Sequence, residues 1–282
     1  MELDLTELYY EDNFQGSRLI FDEFQKYWHV HASNLSLCIT KACLYRKAIA
    51  NDIRIPFKHD SVKRMEMGKA GHYLHQKDVT PKLSELKDDR FGWLPHYDDR
   101  YQGAMLDEYE FQEVSMVREY KKDVLVLGRL DELLMDSKGL FIQDIKTTAG
   151  FKYVNEPKVN HLIQVHAYMW LSDESLNIIK LWAEKQEQWR DIDTLIRRGR
   201  IKYVDTFNPM KVKIYEFNAK QKYFAFIKEQ LDKFHRYVFY DELPKPNHKY
   251  MADWECNPKY CPFSTKEVCP LDEHCPHSRW EK

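Results

Sequence analysis

Two segments, Val126-Leu-Gly-Arg-Leu-Asp131 and Phe141-Ile-Gln-Asp-Ile-Lys146, decide the fold of this 282-residue chain. Each is short, largely apolar and rich in residues that favour β-strands. Between them, Asp136-Ser-Lys-Gly139 has the residue types of a tight turn. The pattern therefore predicts a β-hairpin, in which the end of the first strand lies beside the second strand.

The polar residues of this hairpin indicate a chemistry. Side chains alternate across a strand, so Asp144 and Lys146 project from one face while Ile145 is turned away. The carboxylates of Asp131 and Asp144 and the ammonium of Lys146 can then converge on one spot. Carboxylates are ligands for Mg²⁺ or Mn²⁺, and a nearby lysine can hold or help deprotonate a metal-bound water. The segments indicate metal-assisted hydrolysis of phosphodiester bonds.

The triplet of an acid, any residue and a lysine is not specific by itself. Only the triplet at Asp144 lies in an apolar strand that follows a strand ending in Gly-x-x-Asp. The alternative is a hairpin with a surface Asp–Lys pair. The same triplet recurs at Glu85-Leu-Lys87, Glu119-Tyr-Lys121, Asp136-Ser-Lys138 and Glu156-Pro-Lys158.

A histidine on a predicted helix is a further candidate metal ligand. The segment Met67-Gly-Lys-Ala-Gly-His-Tyr-Leu-His75 has a helical pattern that begins at Ser61, a candidate N-cap. Gly71 and His75 are four residues apart and share a helix face. An imidazole beside two carboxylates favours Mn²⁺ somewhat over Mg²⁺. The alternative is a packed or exposed histidine, since the chain contains twelve.

A second predicted helix carries a polar pair. In His161-Leu-Ile-Gln-Val-His-Ala-Tyr168, which follows Pro157, Gln164 and Tyr168 are four residues apart and share a face, with His161 one turn earlier. An amide and a phenol behind a metal site suit phosphate contact or water positioning. The alternative is a half-buried tyrosine with a surface glutamine.

The six cysteines lie at the two ends of the chain. Cys38 and Cys43 are near the start, and an intracellular protein does not spread disulfides in this way. The tail cluster indicates a metal or iron–sulfur site. The alternatives are a zinc knuckle made by the tail alone, with His274 or His277, and unbound thiols. The tail cluster consists of Cys256, Cys261, Cys269 and Cys275.

Taken in order, these motifs resemble the RecB-like branch of the PD-(D/E)XK nucleases. Within that branch, the chain is most similar to the iron–sulfur exonucleases associated with CRISPR loci and to their relatives in phages, viruses and AddB-type helicase–nucleases. The similarity runs from about Ser33 to Cys275. The motifs that carry it are Cys43, Gly71-x-x-x-His75, Gly128-Arg-Leu-Asp131, Asp144-Ile-Lys146, Gln164-x-x-x-Tyr168 and the tail cysteines.

This resemblance implies roles for the residues that match the motifs. Lys146 is the expected catalytic lysine, and Gln164 and Tyr168 are the expected pair on the following helix. Glu113, on the preceding strand, is a candidate helper. The cofactor is Mn²⁺ or Mg²⁺, and its expected ligands are His75, Asp131, Asp144 and the carbonyl of Ile145.

The resemblance also implies a [4Fe–4S] cluster. Cys43 is preferred over Cys38 as the first ligand because Cys43-Leu-Tyr-Arg46 is similar to the family's Cys-x-x-Arg. The tail departs from the family pattern, since four residues instead of two separate its first two cysteines. Tyr260-Cys-Pro-Phe263 fits the context of the second cysteine, and Cys275 stays an alternative to Cys269. The expected ligands are Cys43, Cys256, Cys261 and Cys269.

The expected fold is an α/β core of the restriction-endonuclease type, with a mixed central sheet flanked by helices and a C-terminal iron–sulfur segment. We expect one nuclease domain, divided into an N-terminal extension (1–30), the core (31–243) and a cysteine-rich tail (244–282) that closes the cluster with Cys43. Predicted helices lie near 19–28, 34–51, 61–77, 158–171 and 220–240. Predicted strands lie near 109–118, 124–132, 140–146, 176–182 and 212–217, with 78–100 as a loop or small cap.

Composition is compatible with this fold and limits the partners. With 43% hydrophobic residues the chain can bury one good core, and its formal net charge of −2 does not indicate nucleic-acid binding. DNA affinity must then come from a local basic surface, for which Arg197–Lys202 with Lys211 and Lys213, and Lys63-Arg64 with Lys69, are candidates. The alternative for each run is a solvated charged face. The acidic start and the lack of a long apolar run predict an intracellular protein without a membrane anchor.

The sequence thus predicts a metal-dependent DNA exonuclease that acts on single strands or duplex ends. The resemblance favours 5′→3′ polarity and leaves nicking or endonuclease activity open, and it implies protein partners in a DNA-processing or CRISPR-type complex. The alternative is a non-catalytic DNA-binding or scaffold subunit. Asp131, Asp144 and Lys146 argue against that alternative, because degenerate members usually lose one of these residues.

Overall fold

The structure is a computed structural model in which two compact units are formed by interleaved parts of the chain. The first consists of Met1–Glu66, Glu119–Leu125 and Phe226–Lys282, and the second of Met67–Arg118 and Val126–Ala225. The predicted boundaries after residues 30 and 243 stay a prediction. The structure describes residues 28–51, 67, 68, 70, 92–93, 112–121, 124–136, 138–175, 196–244, 250, 261 and 263.

The described residues form four helices, a 3-10 turn and seven strands. The helices are α1 (Ala32–Leu35), α2 (Ile39–Ala50), α3 (Val159–Ser175) and α4 (Gln221–Tyr240), with a 3-10 turn at Phe151–Tyr153. The strands are β1 (Trp28–His31), β2 (Gly92–Trp93), β3 (Gln112–Lys121), β4 (Val124–Asp136), β5 (Gly139–Thr148), β6 (Arg198–Asp205) and β7 (Asn208–Asn218).

The predicted hairpin is confirmed. Strands β4 and β5 pair antiparallel from Glu132 opposite Gln143 to Asp136 opposite Gly139, where the turn closes. Both strands extend beyond their predicted ends. Strand β4 continues through the apolar run Leu133-Leu-Met135 to Asp136, and β5 adds Gly139 at the turn and Thr147 and Thr148 at its other end. The middle of β4, which carries Asp131, therefore lies beside the middle of β5.

The sheet is mixed, as the sequence predicts. Its order is β4-β5-β6-β7, with β1, β2 and β3 also pairing with β4. Strands β5 and β6 are parallel, and β6 and β7 are antiparallel. Parallel neighbours need a long crossover, and the segment from Phe151 through α3 provides it. The register of β5 and β6 places Asp144 opposite Ile201 and Lys146 opposite Tyr203.

Helix α3 packs closely on this sheet. A β-carbon added at Gly199 of β6 would lie 2.7 Å from Val165 Cγ1, and one added at Gly128 of β4 would lie 3.3 Å from the ring of Tyr168. Glycine at both positions is what allows this close approach. The Gly128-x-x-Asp131 motif thus has a packing reason for its glycine as well as a chemical reason for its aspartate.

Strand β6 corrects an expectation. The basic run Arg197–Lys202 was a candidate DNA-binding surface or solvated face, but most of it forms a central strand between β5 and β7. Lys202 is only 5% exposed, and Arg197 is ion-paired with Asp173 at 2.8 Å. The charged residues lie among the buried residues Ile201, Tyr203 and Val204. The charges alone predict a surface segment, but β6 has a paired strand on each side, and this pairing buries much of it.

The first unit contains β1, α1, α2 and most of α4. The predicted helix over 34–51 is instead two helices, separated at Ser36–Cys38, where the Ser36 hydroxyl donates to the Ser33 carbonyl at 2.7 Å. Such a side-chain bond competes with the helical backbone pattern. The predicted apolar stripe of α4 is buried in the main, with Ile227, Leu231 and Phe234 at most 1% exposed.

Other predictions fall outside the described residues. They are the helix over 19–28 except Trp28, most of the helix over 61–77, and the strand over 176–182. Within the predicted helix over 61–77, residues 67, 68 and 70 are described, and they are helical. In the part of the chain that the structure describes, every helix is too short or too polar to cross a bilayer.

Candidate active site

The two candidate carboxylates meet at the backbone of β5. The pair of Glu132 and Gln143 is the one farthest from the turn between β4 and β5. Asp131 immediately precedes Glu132, and Asp144 immediately follows Gln143. The amide of Ile145 donates to Asp131 Oδ2 at 2.6 Å. Asp144 is fully buried. The hairpin register therefore brings two acidic side chains to the same part of β5, within the second unit.

Lys146 offsets part of the negative charge of these two carboxylates. Its Nζ atom lies 3.0 Å from both Oδ1 and Oδ2 of Asp144, and its side chain keeps 22% of its surface exposed. Burial disfavours the ammonium, but the negative charges of Asp144 and Asp131 outweigh that effect and raise the pKa of Lys146 above its ordinary value. Lys146 is therefore a charged donor at the open side of the carboxylates.

Helix α3 contributes the predicted polar pair. Gln164 Nε2 donates to the hydroxyl of Tyr168 at 2.7 Å, as expected for residues four apart on one helix face. Tyr168 is only 5% exposed, and its ring faces Gly128 of β4. This close contact ties the helix face that carries the pair to the strand that carries Asp131.

A histidine–tyrosine pair lies beside Lys146. His161 Nδ1 is 2.8 Å from the hydroxyl of Tyr203, which also accepts from the amide of Lys158 at 3.1 Å. Burial, followed by the charges of Lys146 and Lys158, lowers the pKa of His161 to about 3. Burial and the charge of Asp144 raise the pKa of Tyr203, although the Lys158 amide opposes them.

Sequence reasoning placed His161 on the face shared by Gln164 and Tyr168 but missed Tyr203. That tyrosine lies on the unpredicted strand β6, opposite Lys146. The signal available in the sequence was the set of strand-favouring residues Ile201, Tyr203 and Val204.

Several candidate residues lie outside the described part of the chain, namely His75, Cys256, Cys269 and Cys275, and the side chain of Glu113 is also outside it. The helical residue Gly68 is described, and a β-carbon there would lie 3.4 Å from Thr147 Oγ1. Gly68 therefore lies beside β5, next to the residue that follows Lys146. Within the described residues, no group of three or more histidine, cysteine or acidic side chains is arranged to hold a metal ion.

The described cysteines are in the first unit and are all buried. Cys43 lies on α2, and burial and the nearby Cys38 raise its pKa well above the ordinary value, against the smaller effect of a backbone hydrogen bond. Cys261 and Phe263 pack against Leu44 and Ala48 of the same helix. The tail thus returns to α2 next to the residue that follows Cys43.

Comparison with known proteins assigns the family. The model of the PD-(D/E)XK nuclease superfamily matches residues 61–270, about three quarters of the chain. The chain belongs to the PD-(D/E)XK nuclease superfamily. The matched range includes the hairpin and α3, and nucleases of this superfamily use divalent metals to hydrolyse nucleic acid. Membership therefore assigns this chain to metal-dependent nucleases and its substrate to nucleic acid.

A structure titled "Crystal structure of SSO0001" has 17% sequence identity and a TM-score of 0.45, covering 93% of this chain and 96% of that one. No match was found among curated proteins.

Proposed function

We propose that this PD-(D/E)XK protein is a divalent-metal-dependent DNA exonuclease of the iron–sulfur, RecB-like branch, related to the CRISPR-associated and AddB-type enzymes. The observation that carries the proposal is the convergence of Asp131, Asp144 and Lys146 on one part of β5. Its substrate is single-stranded DNA or a duplex end, degraded with 5′→3′ polarity. DNA as substrate and thiolates as cluster ligands both suit an intracellular setting.

The metal site would use Asp131 and Asp144 with His75 and the carbonyl of Ile145. The described part of this set fits a divalent cation, because two carboxylates reach one stretch of β5 and hard oxygen donors suit Mn²⁺ and Mg²⁺. When bound, the metal supplies Lewis-acid polarisation of the scissile phosphate and lowers the pKa of a water. Asp131 and Asp144 would orient the phosphate and the water at the place where β4 and β5 lie side by side.

Lys146 acts beside the carboxylates. Its raised pKa keeps the ammonium charged, so it can orient the attacking water and stabilise negative charge on the phosphate in the transition state. Gln164 and Tyr168, already hydrogen-bonded to each other, position the phosphate from the helix side. Their contact across Gly128 keeps this pair fixed relative to the hairpin.

The iron–sulfur cluster would be held by Cys43, Cys256, Cys261 and Cys269, with Cys275 as the alternative fourth ligand. The packing of Cys261 on α2 supports this arrangement, because it brings one tail cysteine to the helix that carries Cys43. Both thiols are buried, and a buried thiol ionises only with a compensating cation such as a metal. The cluster would staple the tail to the start of the chain.

Digestion of end-labelled DNA tests the proposed activity. Linear single-stranded, linear duplex and circular DNA are incubated with the protein in Mn²⁺, Mg²⁺ or EDTA. We expect metal-dependent release of short products from linear DNA with a free 5′ end, and no cleavage of circles. Cleavage of circular DNA would assign an endonuclease instead. A protein that binds DNA but cuts no substrate with any metal would support the scaffold alternative.

A further inference from the structure

The hydroxyl of Tyr203 determines which nitrogen of His161 carries the proton. A tyrosine hydroxyl has one proton to donate and two lone pairs. The amide of Lys158 can only donate, so it occupies one lone pair. Within the described residues, the remaining partner of this buried hydroxyl is His161 Nδ1. A buried proton without an acceptor is costly, so Tyr203 donates to Nδ1 and the imidazole proton lies on Nε2.

The imidazole of His161 stays neutral near pH 7. Its pKa of about 3 results first from burial and then from the charges of Lys146 and Lys158. His161 itself is half-buried. Because Nδ1 is taken up by Tyr203, Nε2–H is the imidazole group that remains for a ligand near the charge of Lys146. In this tautomer Nε2 has no lone pair for a metal.

We propose that His161 is a substrate-binding residue whose Nε2–H donates to a non-bridging oxygen of the DNA phosphate beside Lys146, and that Tyr203 is the positioning residue that fixes this tautomer. The proposal rests on the proposed nuclease function. A neutral donor adds a hydrogen bond to the phosphate without adding a cation, which would repel both Lys146 and the bound metal.

A binding cycle with modified DNA tests this contact. Wild type and His161→Ala are titrated with oligonucleotides that carry one methylphosphonate at successive positions around the cut, with Ca²⁺ replacing the active metal. We expect His161→Ala to weaken binding of unmodified DNA about 10- to 100-fold. At one position the methylphosphonate should weaken wild-type binding but leave His161→Ala unaffected, because both changes remove the same hydrogen bond.

Controls separate contact from folding. His235→Ala, on α4 and in the other unit, should bind every oligonucleotide like wild type. His161→Gln retains a neutral N–H donor and should restore part of the affinity. Melting curves of all variants identify loss of structure. If the losses of affinity from His161→Ala and from the methylphosphonate are additive at every phosphate position, the proposal is wrong.

A spectroscopic measurement tests the tautomer without DNA. The ¹⁵N chemical shifts of His161 should show a proton on Nε2 and an acceptor at Nδ1, and Tyr203→Phe should release this preference and weaken DNA binding. A proton on Nδ1 in the wild type would overturn the assignment. If DNA digestion requires Asp144 but the binding losses of His161→Ala and the methylphosphonate are additive, the inference about His161 fails and the proposed nuclease function stands. If wild type neither binds nor cuts DNA, the proposed function fails with it.

Discussion

The carboxylate of Asp144 illustrates how much a single residue depends on its partner. It is fully buried, and a buried charge is tolerated only when it is paired. Lys146 supplies that pairing at 3.0 Å, while Asp131 adds a second negative charge nearby. The same three groups are those that a metal-dependent hydrolase needs, so stabilising contacts and chemistry coincide here.

Replacing either partner of this pair should slow hydrolysis strongly. We expect Asp144→Asn and Lys146→Ala to lower the single-turnover rate on the order of 10²-fold or more, the scale for losing one preorganised transition-state interaction. Asp144→Asn should also weaken metal binding, whereas Lys146→Ala should leave it nearly intact. Lys138→Ala is the matched control, since Lys138 is exposed and ends another triplet of the same kind, Asp136-Ser-Lys138, at the turn. Wild-type cutting by Asp144→Asn would refute the site.

His75 should behave as a metal ligand and not as a packed residue. His75→Ala should raise the Mn²⁺ concentration needed for activity and leave the melting temperature unchanged, because a ligand on a helix face adds little to the core. Isothermal titration of Mn²⁺ into both proteins measures this. A lowered melting temperature with unchanged metal affinity would identify His75 as a packed residue instead.

At the scale of elements, the distance between α3 and the sheet is set by glycine. A β-carbon at Gly199 would lie 2.7 Å from Val165 Cγ1 and 2.8 Å from the ring of Phe217, which stacks on His166. Neither neighbour can move freely, because valine is stiff and the phenylalanine ring is held by its stack. The helix itself would have to shift.

Gly199→Ala should therefore destabilise the fold by about 1–3 kcal/mol, the usual cost of overpacking. Urea denaturation measures the loss. Gly68→Ala is the control, because its β-carbon would make an ordinary contact at 3.4 Å and alanine favours a helix by up to about 1 kcal/mol. Equal stability of wild type and Gly199→Ala would show that α3 does not pack this closely.

At the scale of the whole molecule, buried histidines should make stability depend on pH. Burial, followed by the charges of Arg46 and His31, lowers the pKa of His29 to about 3. His166 is also buried, where it accepts from the amide of Lys220 at 2.9 Å, and its pKa is lowered mainly by burial. Both histidines therefore bind protons less readily in the folded protein than in the unfolded chain, where they take up protons below about pH 6.5.

Because the unfolded chain then binds more protons, the free energy of unfolding should fall as the pH drops below about 6.5 and be insensitive to these groups above it. Each such histidine contributes a slope of at most roughly 1.4 kcal/mol per pH unit. Urea denaturation at pH 7.5, 6.5 and 5.5 measures the slope. His166→Gln, which does not titrate, should reduce it by the share of one histidine. An unchanged slope would mean that His166 is protonated in the folded state.

The cluster should join the two ends of the chain. Cys43 and Cys256 are more than two hundred residues apart, but the entropy of closing a loop grows only with the logarithm of its length, so metal–thiolate bonds can offset it. Protein purified without oxygen should be brown, with absorption near ~400 nm. Cys43→Ser should bleach it and lower the melting temperature.

Cys38→Ser is the matched control, because Cys38 is also buried near Cys43 but lies outside the proposed ligand set. It should keep both colour and stability. Bleaching by Cys38→Ser instead of Cys43→Ser would exchange the two ligands. A colourless protein with stoichiometric zinc would replace the cluster with a zinc knuckle in the tail.

The sequence by itself determined the elements whose signals are local. The hairpin of β4 and β5 follows from alternation and turn residues, and α3 and α4 follow from helical periodicity, so Asp144 with Lys146 and Gln164 with Tyr168 were placed on common faces. These features depend on neighbours within a few residues, which is the range over which backbone geometry fixes direction.

Only the tertiary structure decided the position of β6, the partner of His161 and the return of the tail to α2. Charges in β6 indicated a surface, but pairing with β5, more than fifty residues away, buried Lys202 and brought Tyr203 opposite Lys146. Cys261 reached Leu44 across most of the chain. Such contacts depend on which distant surfaces bury each other, and no local period in the sequence records that choice.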